Sequence, residues 1–202
     1  VTAGVRPKHS ASTLQLSLQN VHWKHPSVFQ EVNSMSKQYK LVTCTINGKK
    51  TEKMVDVRAS LTDMLRDDYR LTSVKKGCEA GECGACNVLI NGECFNSCIY
   101  LAVWAQDKEI LTLEGLAGPN GEISDIQQAF IDEAAVQCGF CSPGFIMSAV
   151  EILEAKREFS DDEIRKLMSG HLCRCTGYEN IFRAVKKTML RRLGKEKEAL
   201  EV

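Results

Sequence analysis

The chain has 202 residues, with 26 basic and 26 acidic side chains, so its formal net charge at pH 7 is zero. A neutral chain has no overall field that attracts nucleic acid or an anionic membrane, and no apolar run approaches the ~20 residues of a membrane-spanning helix. We therefore expect no nucleic-acid partner and no membrane span. Ten cysteines are present without a recognisable export signal, so a cytoplasmic location without disulfides is expected.

Residues 1–35 form an N-terminal extension, rich in Ser, Gln, Asn and His, that does not conform to the pattern of the rest. Val1 is what a GTG start codon gives when it is translated literally, and Met35 directly precedes the first predicted strand. We therefore expect the physiological start at Met35. A peptide from upstream of Ser34, found in protein from the native host, would contradict this expectation.

The first predicted domain covers residues 36–114. Tyr39–Ile46 is rich in β-branched residues, and Asn47-Gly48 is a strong hairpin signal before a returning strand at Lys53–Val57. Ser60 then begins a helix, because a carboxylate three residues later completes a capping box. A second hairpin and a last strand at the end of the domain follow, and together these elements predict a mixed sheet with a helix across it. The second hairpin spans Val88–Phe95, and the last strand spans Ile110–Leu113.

A loop rich in cysteine and glycine follows the predicted helix. Cys78, Cys83 and Cys86 have the spacing C-x4-C-x2-C, and the second hairpin returns the chain to Cys98. This spacing is typical of the [2Fe–2S] loop of plant-type ferredoxins, and the glycines allow the backbone to turn its N–H groups towards sulfur. A zinc site is the alternative, but zinc ribbons use paired C-x2-C units.

The second predicted domain is helical. A cluster of helix breakers predicts a linker at residues 115–122, and the apolar period then changes to that of helices over residues 123–195, before a tail at 196–202. Helices are predicted at residues 124–135, 144–156, 160–168 and 178–193. Four short helices bury little apolar surface by themselves, so this domain is expected to depend most on bound iron.

Four more cysteines stand in two pairs, each just before a predicted helix. They are Cys138, Cys141, Cys173 and Cys175. Helix N-termini carry free N–H groups that suit a negatively charged cluster with thiolate ligands. Zinc is again the alternative, although a C-x-C pair is strained for tetrahedral zinc. The remaining Cys44 and Cys94 lie in predicted strands among apolar neighbours and are predicted to be small core residues rather than ligands.

Three motifs, in this order and spacing, carry a resemblance to a known family. They are Gly77-Cys-x4-Cys-Gly-Ala-Cys86, Gln137-Cys-Gly-Phe-Cys-Ser-Pro-Gly144 and Leu172-Cys-Arg-Cys-Thr-Gly-Tyr178. From about residue 40 to residue 190 the chain resembles the iron–sulfur subunit of molybdenum hydroxylases, the family of xanthine dehydrogenases, aldehyde oxidoreductases and carbon monoxide dehydrogenases. Segments 98–105 and 108–115 are most similar to the xanthine dehydrogenase subunits. Ser142 stands where Thr is usual, and it keeps the hydroxyl.

The resemblance implies an α+β fold, with a β-grasp ferredoxin-like domain followed by an all-α four-helix [2Fe–2S]-binding domain. It also implies an electron-transfer subunit without catalytic residues of its own. A large partner subunit would carry molybdopterin and hydroxylate an aromatic heterocycle or aldehyde, and a medium subunit would carry FAD. The implied ligands are Cys78, Cys83, Cys86 and Cys98 for one cluster, and Cys138, Cys141, Cys173 and Cys175 for the other. Gln137 and Cys175 would contact the pterin, so the helical-domain cluster would lie nearest molybdenum.

A free-standing two-cluster ferredoxin is the alternative function, although such a carrier is expected to be acidic. A zinc-binding interaction module is the third, and it would be colourless. Outside the cysteines, His171 is predicted to face solvent at a helix end rather than to bind a cluster sulfur. Arg174 is a candidate for offsetting cluster charge, whereas Lys75 and Lys76 are interpreted as solvated surface.

Overall fold

The computed structural model describes residues 38–202, so the extension at 1–35 and the start expected at Met35 lie outside the described range. Five strands form one mixed sheet in the order β2-β1-β5-β3-β4. They are β1 (Tyr39–Ile46), β2 (Lys49–Asp56), β3 (Asn87–Ile90), β4 (Glu93–Asn96) and β5 (Glu109–Leu111). Strands β1 and β5 are parallel, and the other neighbours are antiparallel. The mixed sheet predicted for the first domain is confirmed.

Both predicted hairpins turn at an Asn-Gly pair. Asn47 and Gly48 have φ of 49° and 76°, and Asn91 and Gly92 have φ of 52° and 88°. Positive φ at both central positions is the type I′ turn, whose twist matches that of the strands it joins. Pairing continues up to the turn, with Ile46 opposite Lys49, so β2 begins four residues earlier than the sequence suggested.

A short helix packs in the same core as the sheet and leads into the first cysteine loop. Helix α1 (Leu61–Asp63) is a single turn that continues as a π-helical turn over Met64–Asp68. The Ser60 hydroxyl accepts the Asp63 N–H at 3.1 Å, and the Asp63 carboxylate accepts the Ser60 N–H at 3.3 Å, which is the predicted capping box. Residues 69–86 then contain neither helix nor strand.

The second domain contains five helices rather than the four predicted. They are α2 (Asp125–Asp132), α3 (Ser142–Glu154), α4 (Asp161–Leu167), α5 (Glu179–Arg192) and α6 (Glu196–Glu201). Helix α6 lies in the predicted tail, where Ala199 is only 1% exposed and belongs to the same core as α5. In the described range, none of the helices is long and apolar enough to cross a membrane. The predicted domain boundaries stay predictions.

Each domain has its own hydrophobic core. The helical core contains 22 buried residues and includes Leu89 of β3, so α3 packs directly on the sheet. The core under the opposite face of the sheet contains 14 buried residues. The sequence analysis considered the helices by themselves, but α3 is buried along most of its length between the sheet and the other helices, so the helical core is larger than four isolated helices would give.

Candidate metal centres

The fold brings the first four predicted ligands together. Cys78, Cys83 and Cys86 lie on the irregular loop before β3, and Cys98 lies two residues beyond β4. The Cys78 thiol is in contact with that of Cys83, and the Cys98 thiol is in contact with that of Cys86. Cys78 is exposed and Cys86 is buried. The four thiols therefore form two touching pairs, placed between solvent and the domain core.

Backbone N–H groups of the first loop point at one of these sulfurs. The amides of Ala80 and Glu82 lie 3.4 and 3.3 Å from the Cys78 Sγ. These donors stabilise the thiolate and lower the pKa of Cys78 to about 7. Gly81, between them, has φ of 78°, a conformation that most residues adopt only with strain. Burial has the opposite effect on Cys98 and raises its pKa to about 11.

The second four cysteines also form two touching pairs. Cys138 is in contact with Cys175, and Cys141 is in contact with Cys173. Cys141 immediately precedes α3, as the sequence predicted. Cys138 and Cys175 are exposed, and the adjacent Phe140 amide lowers the pKa of Cys138 by donating to its sulfur. Burial raises the pKa of Cys141 to about 12.

Thr176 and Tyr178, which follow Cys173 in the sequence, hold its loop in place. The sequence analysis did not assign them this role. The Thr176 Oγ1 lies 3.1 Å from the Cys173 Sγ, and Tyr178 contributes a hydroxyl that accepts the Cys173 N–H at 3.0 Å. Burial acts to raise the pKa of Cys173, but the Thr176 hydroxyl and amide outweigh it, so that pKa is lowered. The signal in the sequence that could have identified Thr176 is a hydroxyl residue three positions after a candidate ligand.

The donor sets suit a two-metal cluster better than a single ion. A [2Fe–2S] cluster takes four thiolates as two pairs, one pair on each iron. The pairing of the sulfurs in both sets matches that requirement, whereas a tetrahedral zinc site requires four ligands around one point.

The remaining candidates separate into exposed and buried groups. The exposed candidates are Gln137, which lies in the second cysteine motif, and Arg174 and Cys175, which lie in the third. The Gln137 side chain makes no hydrogen bond to the other described residues. Cys44 is buried in β1, as expected for a core residue. Cys94 is half-buried, and its Sγ lies 3.2 Å from the Ser148 Oγ; burial raises its pKa to about 11.

His171 does not face solvent, so that prediction was wrong. Its side chain is 5% exposed and stacks on the Phe145 ring, with the ring centroids 4.3 Å apart. Burial lowers its pKa, which favours the neutral imidazole. Lys76 is not simply solvated either, because its ammonium pairs with Asp63 and lies 3.7 Å from Asp67.

Comparison with known proteins identifies both domains. A family described as a 2Fe-2S iron-sulfur cluster binding domain matches residues 44–112, and one described as a [2Fe-2S] binding domain matches residues 112–186. The two matches meet where the sheet ends and the helical part begins. Both domains are thus of the [2Fe–2S]-binding kind, and the chain carries two such clusters.

Relatives share this two-domain order. The caffeine dehydrogenase subunit gamma of Pseudomonas sp. (strain CBB1) is 47% identical over 149 residues, which are 72% of this chain and 89% of the relative. The xanthine dehydrogenase iron-sulfur-binding subunit of Escherichia coli O157:H7 is 48% identical over 146 residues, which are 71% and 91% of the two chains. Both are named as subunits rather than as independent carriers.

A solved structure has the same fold. A chain of quinoline 2-oxidoreductase from Pseudomonas putida 86 superposes with a TM-score of 0.73 and 40% identity, and the match covers 80% of this chain and 98% of that one. Two [2Fe–2S]-binding domains in this order, on a chain that aligns with most of these subunits, show that it belongs to the family of two-cluster, electron-transferring iron–sulfur subunits of molybdenum hydroxylases.

Proposed function

We propose that the eight paired cysteines ligate the two clusters. The first set is Cys78, Cys83, Cys86 and Cys98, and the second is Cys138, Cys141, Cys173 and Cys175. The observation that carries this assignment is that the cysteine sulfurs of each domain contact one another as two pairs. When bound, the clusters supply one-electron transfer. The residues of this chain hold them, direct N–H and O–H groups at their sulfurs and bury one side of each set.

The assignment is tested by replacing one cysteine at a time. Replacing any of the eight by Ser should either lower the iron content, from about four towards about two atoms per chain, or alter the EPR signal of one reduced cluster only. The matched controls are Cys44→Ala and Cys94→Ala, which should keep all the iron. Loss of iron in Cys94→Ala as large as in Cys98→Ser would contradict the assignment.

The proposal continues with a molybdopterin-carrying large subunit docked on the helical domain and an FAD-carrying medium subunit as the electron acceptor. Gln137 supports this arrangement because its exposed amide can donate to and accept from a polar heterocycle. Cys175 is an exposed member of the second set of cysteines, and its sulfur can accept a hydrogen bond from a pterin amine. Electrons would enter at the helical domain and leave from the ferredoxin-like domain. We place this complex in the cytoplasm.

The order is tested in the purified complex. In partly reduced holoenzyme, the molybdenum EPR signal should be split by the nearer paramagnetic cluster. Cys175→Ser should abolish this splitting, whereas Cys78→Ser should preserve it. If the splitting depended on Cys78 instead, the order of electron transfer would be the reverse of the one proposed.

The substrate proposal rests on the relatives. Caffeine and xanthine are both purines, and the subunits named for them are 47% and 48% identical to this chain. We therefore propose that the holoenzyme hydroxylates a nitrogen heterocycle and favour a purine. Purified complex should oxidise xanthine or a methylated purine faster than benzaldehyde. Preferential oxidation of the aldehyde would contradict the proposal.

A further inference from the structure

The two cysteine loops touch each other at Gly84. A Cβ placed on Gly84 would lie 2.6 Å from the His171 Cδ2, and a Cβ placed on Gly144 would lie 2.1 Å from the Gly84 carbonyl oxygen. Real Cβ atoms do not approach so closely. The first loop, the start of α3 and the segment before Cys173 are therefore in direct contact, with His171 packed against the Gly84 backbone.

Hydrogen bonds fix the orientation of the His171 ring. Its Nδ1 lies 3.2 Å from the Met168 carbonyl oxygen, which can only accept, so Nδ1 carries the proton. The neutral ring then has Nε2 as an acceptor. Asn87 Nδ2 and Ser148 Oγ, each 3.2 Å away, can both donate to it. With Phe145 stacked on one face, the imidazole has both nitrogens paired and one orientation.

Two of the residues in contact with His171 lie next to a proposed cluster ligand. Gly84 follows Cys83, and Asn87 follows Cys86. On the other side, His171 stands two residues before Cys173, and the intervening Leu172 donates its N–H to the Cys83 carbonyl at 3.1 Å. A movement of the ring would therefore be transmitted to ligands of both clusters.

We propose that His171 is a positioning residue that fixes the separation of the two clusters and thereby the rate at which one electron passes from the helical domain to the ferredoxin-like domain. This inference rests on the ligand assignment proposed above. Asn87 Oδ1 is already buried without a hydrogen bond in the described chain, so the junction contains one unpaired polar atom even with the imidazole present. Removing the imidazole takes away the acceptor Nε2 of Asn87 and Ser148 and adds to this cost, which favours a shift of the loops.

The experiment uses the full chain with both clusters fully reduced. The dipolar part of the magnetic interaction between the two clusters falls with the inverse cube of their separation, so the splitting of their EPR signals reports that separation. His171→Leu fills part of the space but accepts no hydrogen bond, and the splitting should decrease. His171→Gln can place an amide oxygen near the position of Nε2 and should restore it. Stopped-flow reduction should show slower transfer between the clusters in His171→Leu only.

Two controls make the result decisive. Thr188 is a buried polar residue of α5 whose hydroxyl donates to the Ala184 carbonyl one turn earlier in the same helix, so Thr188→Ala should leave the splitting unchanged. If His171→Leu does not fold, the double variant Asn87→Ala with Ser148→Ala removes both donors and should lower the splitting. An unchanged splitting in His171→Leu, or in the double variant where His171→Leu does not fold, at full iron content would overturn the inference. Failure of the ligand assignment would appear instead as iron retained by the cysteine variants.

Discussion

The two domains hold the same kind of cluster in different ways. The ferredoxin-like domain places three of its four cysteines on the loop of residues 69–86, which has no helix or strand of its own. The helical domain divides its cysteines between two short segments, each of which leads into a helix. In the first domain the positions of most proposed ligands follow the conformation of one loop, whereas in the second they follow the packing of α3 and α5.

This difference predicts which part of the chain needs iron for its order. The helical core has 22 buried residues, including Leu89 of β3, so we expect its packing to survive without a cluster. The first loop has no regular hydrogen-bonded element and is held by separate contacts, such as those of the Glu114 carboxylate, which accepts the Ser73 N–H at 2.9 Å, and of the Arg66 guanidinium, which donates to the Val74 carbonyl at 2.6 Å. Local unfolding without iron should therefore begin in that loop.

The largest expected effect comes from removing iron. After chelation, amides of residues 75–86 should exchange with solvent nearly as fast as unprotected ones, while amides in α3 and α5 stay protected. Far-ultraviolet circular dichroism should keep most of its helical signal. Hydrogen exchange with mass spectrometry and iron analysis check this. A helical signal that disappears in step with iron would reverse the comparison between the domains.

The next effect is on the contact between the domains. Gly144→Ala places a methyl group 2.1 Å from the Gly84 carbonyl oxygen, which is backbone and cannot move aside cheaply. Alanine favours a helix by about 1 kcal/mol over glycine, but overpacking costs about 1–3 kcal/mol, and a clash this close puts the cost at the upper end. We expect a net loss of stability in denaturant unfolding.

The matched control is Gly170→Ala, at a glycine in the same junction region with nothing within 4 Å of its added Cβ. This variant should unfold at the wild-type midpoint within error. Equal destabilisation by both variants would show that the close approach of α3 to the first loop is not what matters.

A smaller effect should distinguish the clusters electronically. Thr176 accepts the Tyr178 N–H at 3.1 Å, so its own hydroxyl proton is free to donate to the Cys173 sulfur. That bond stabilises the more negative, reduced cluster. Thr176→Val should lower the reduction potential of the helical-domain cluster by tens of millivolts, on the order of what one such hydrogen bond contributes. EPR-monitored redox titration checks the shift.

Thr176→Ser keeps the hydroxyl and should keep the potential. The first cluster should not shift in either variant, because its loop donates to Cys78 through the backbone amides of Ala80 and Glu82. A shift of both clusters together would indicate a change in the whole fold rather than the loss of one hydrogen bond.

Local chemistry explains what the sequence could predict. The two Asn-Gly turns, the caps at Ser60 and Ser160 and the cysteine spacings depend on residues within a few positions of one another. The burial of His171 could not be predicted in this way, since its partner Asn87 is 84 positions away. Helix α6 was missed for a similar reason, because residues 196–202 were assigned to a tail, whereas Ala199 packs into the helical core.

The smallest expected effect concerns an ion pair that holds the helical domain together without iron. Arg192 of α5 donates to both carboxylate oxygens of Asp125 at the start of α2, at 2.7 and 2.8 Å. The hydrogen bond to Arg192 is the main cause that lowers the pKa of Asp125. Both groups are partly exposed, so Asp125→Asn should cost only about 1 kcal/mol of unfolding free energy at pH 7.

The dependence on pH follows from the sign of that shift. A carboxyl group whose pKa is lower in the folded state stabilises the fold above its unfolded pKa of about 3.9 and loses this contribution as pH falls through the folded value. Wild type and Asp125→Asn should therefore differ at pH 7 and converge as pH falls below the folded pKa of Asp125. Asp162→Asn is the control, since Asp162 also stands in the first turn of a helix but has no bidentate arginine, and its effect should be smaller. If Asp125→Asn and Asp162→Asn had equal effects in urea unfolding, the stabilisation would come from the charges at the helix ends alone. The ion pair with Arg192 would then not contribute to the packing of α2 against α5.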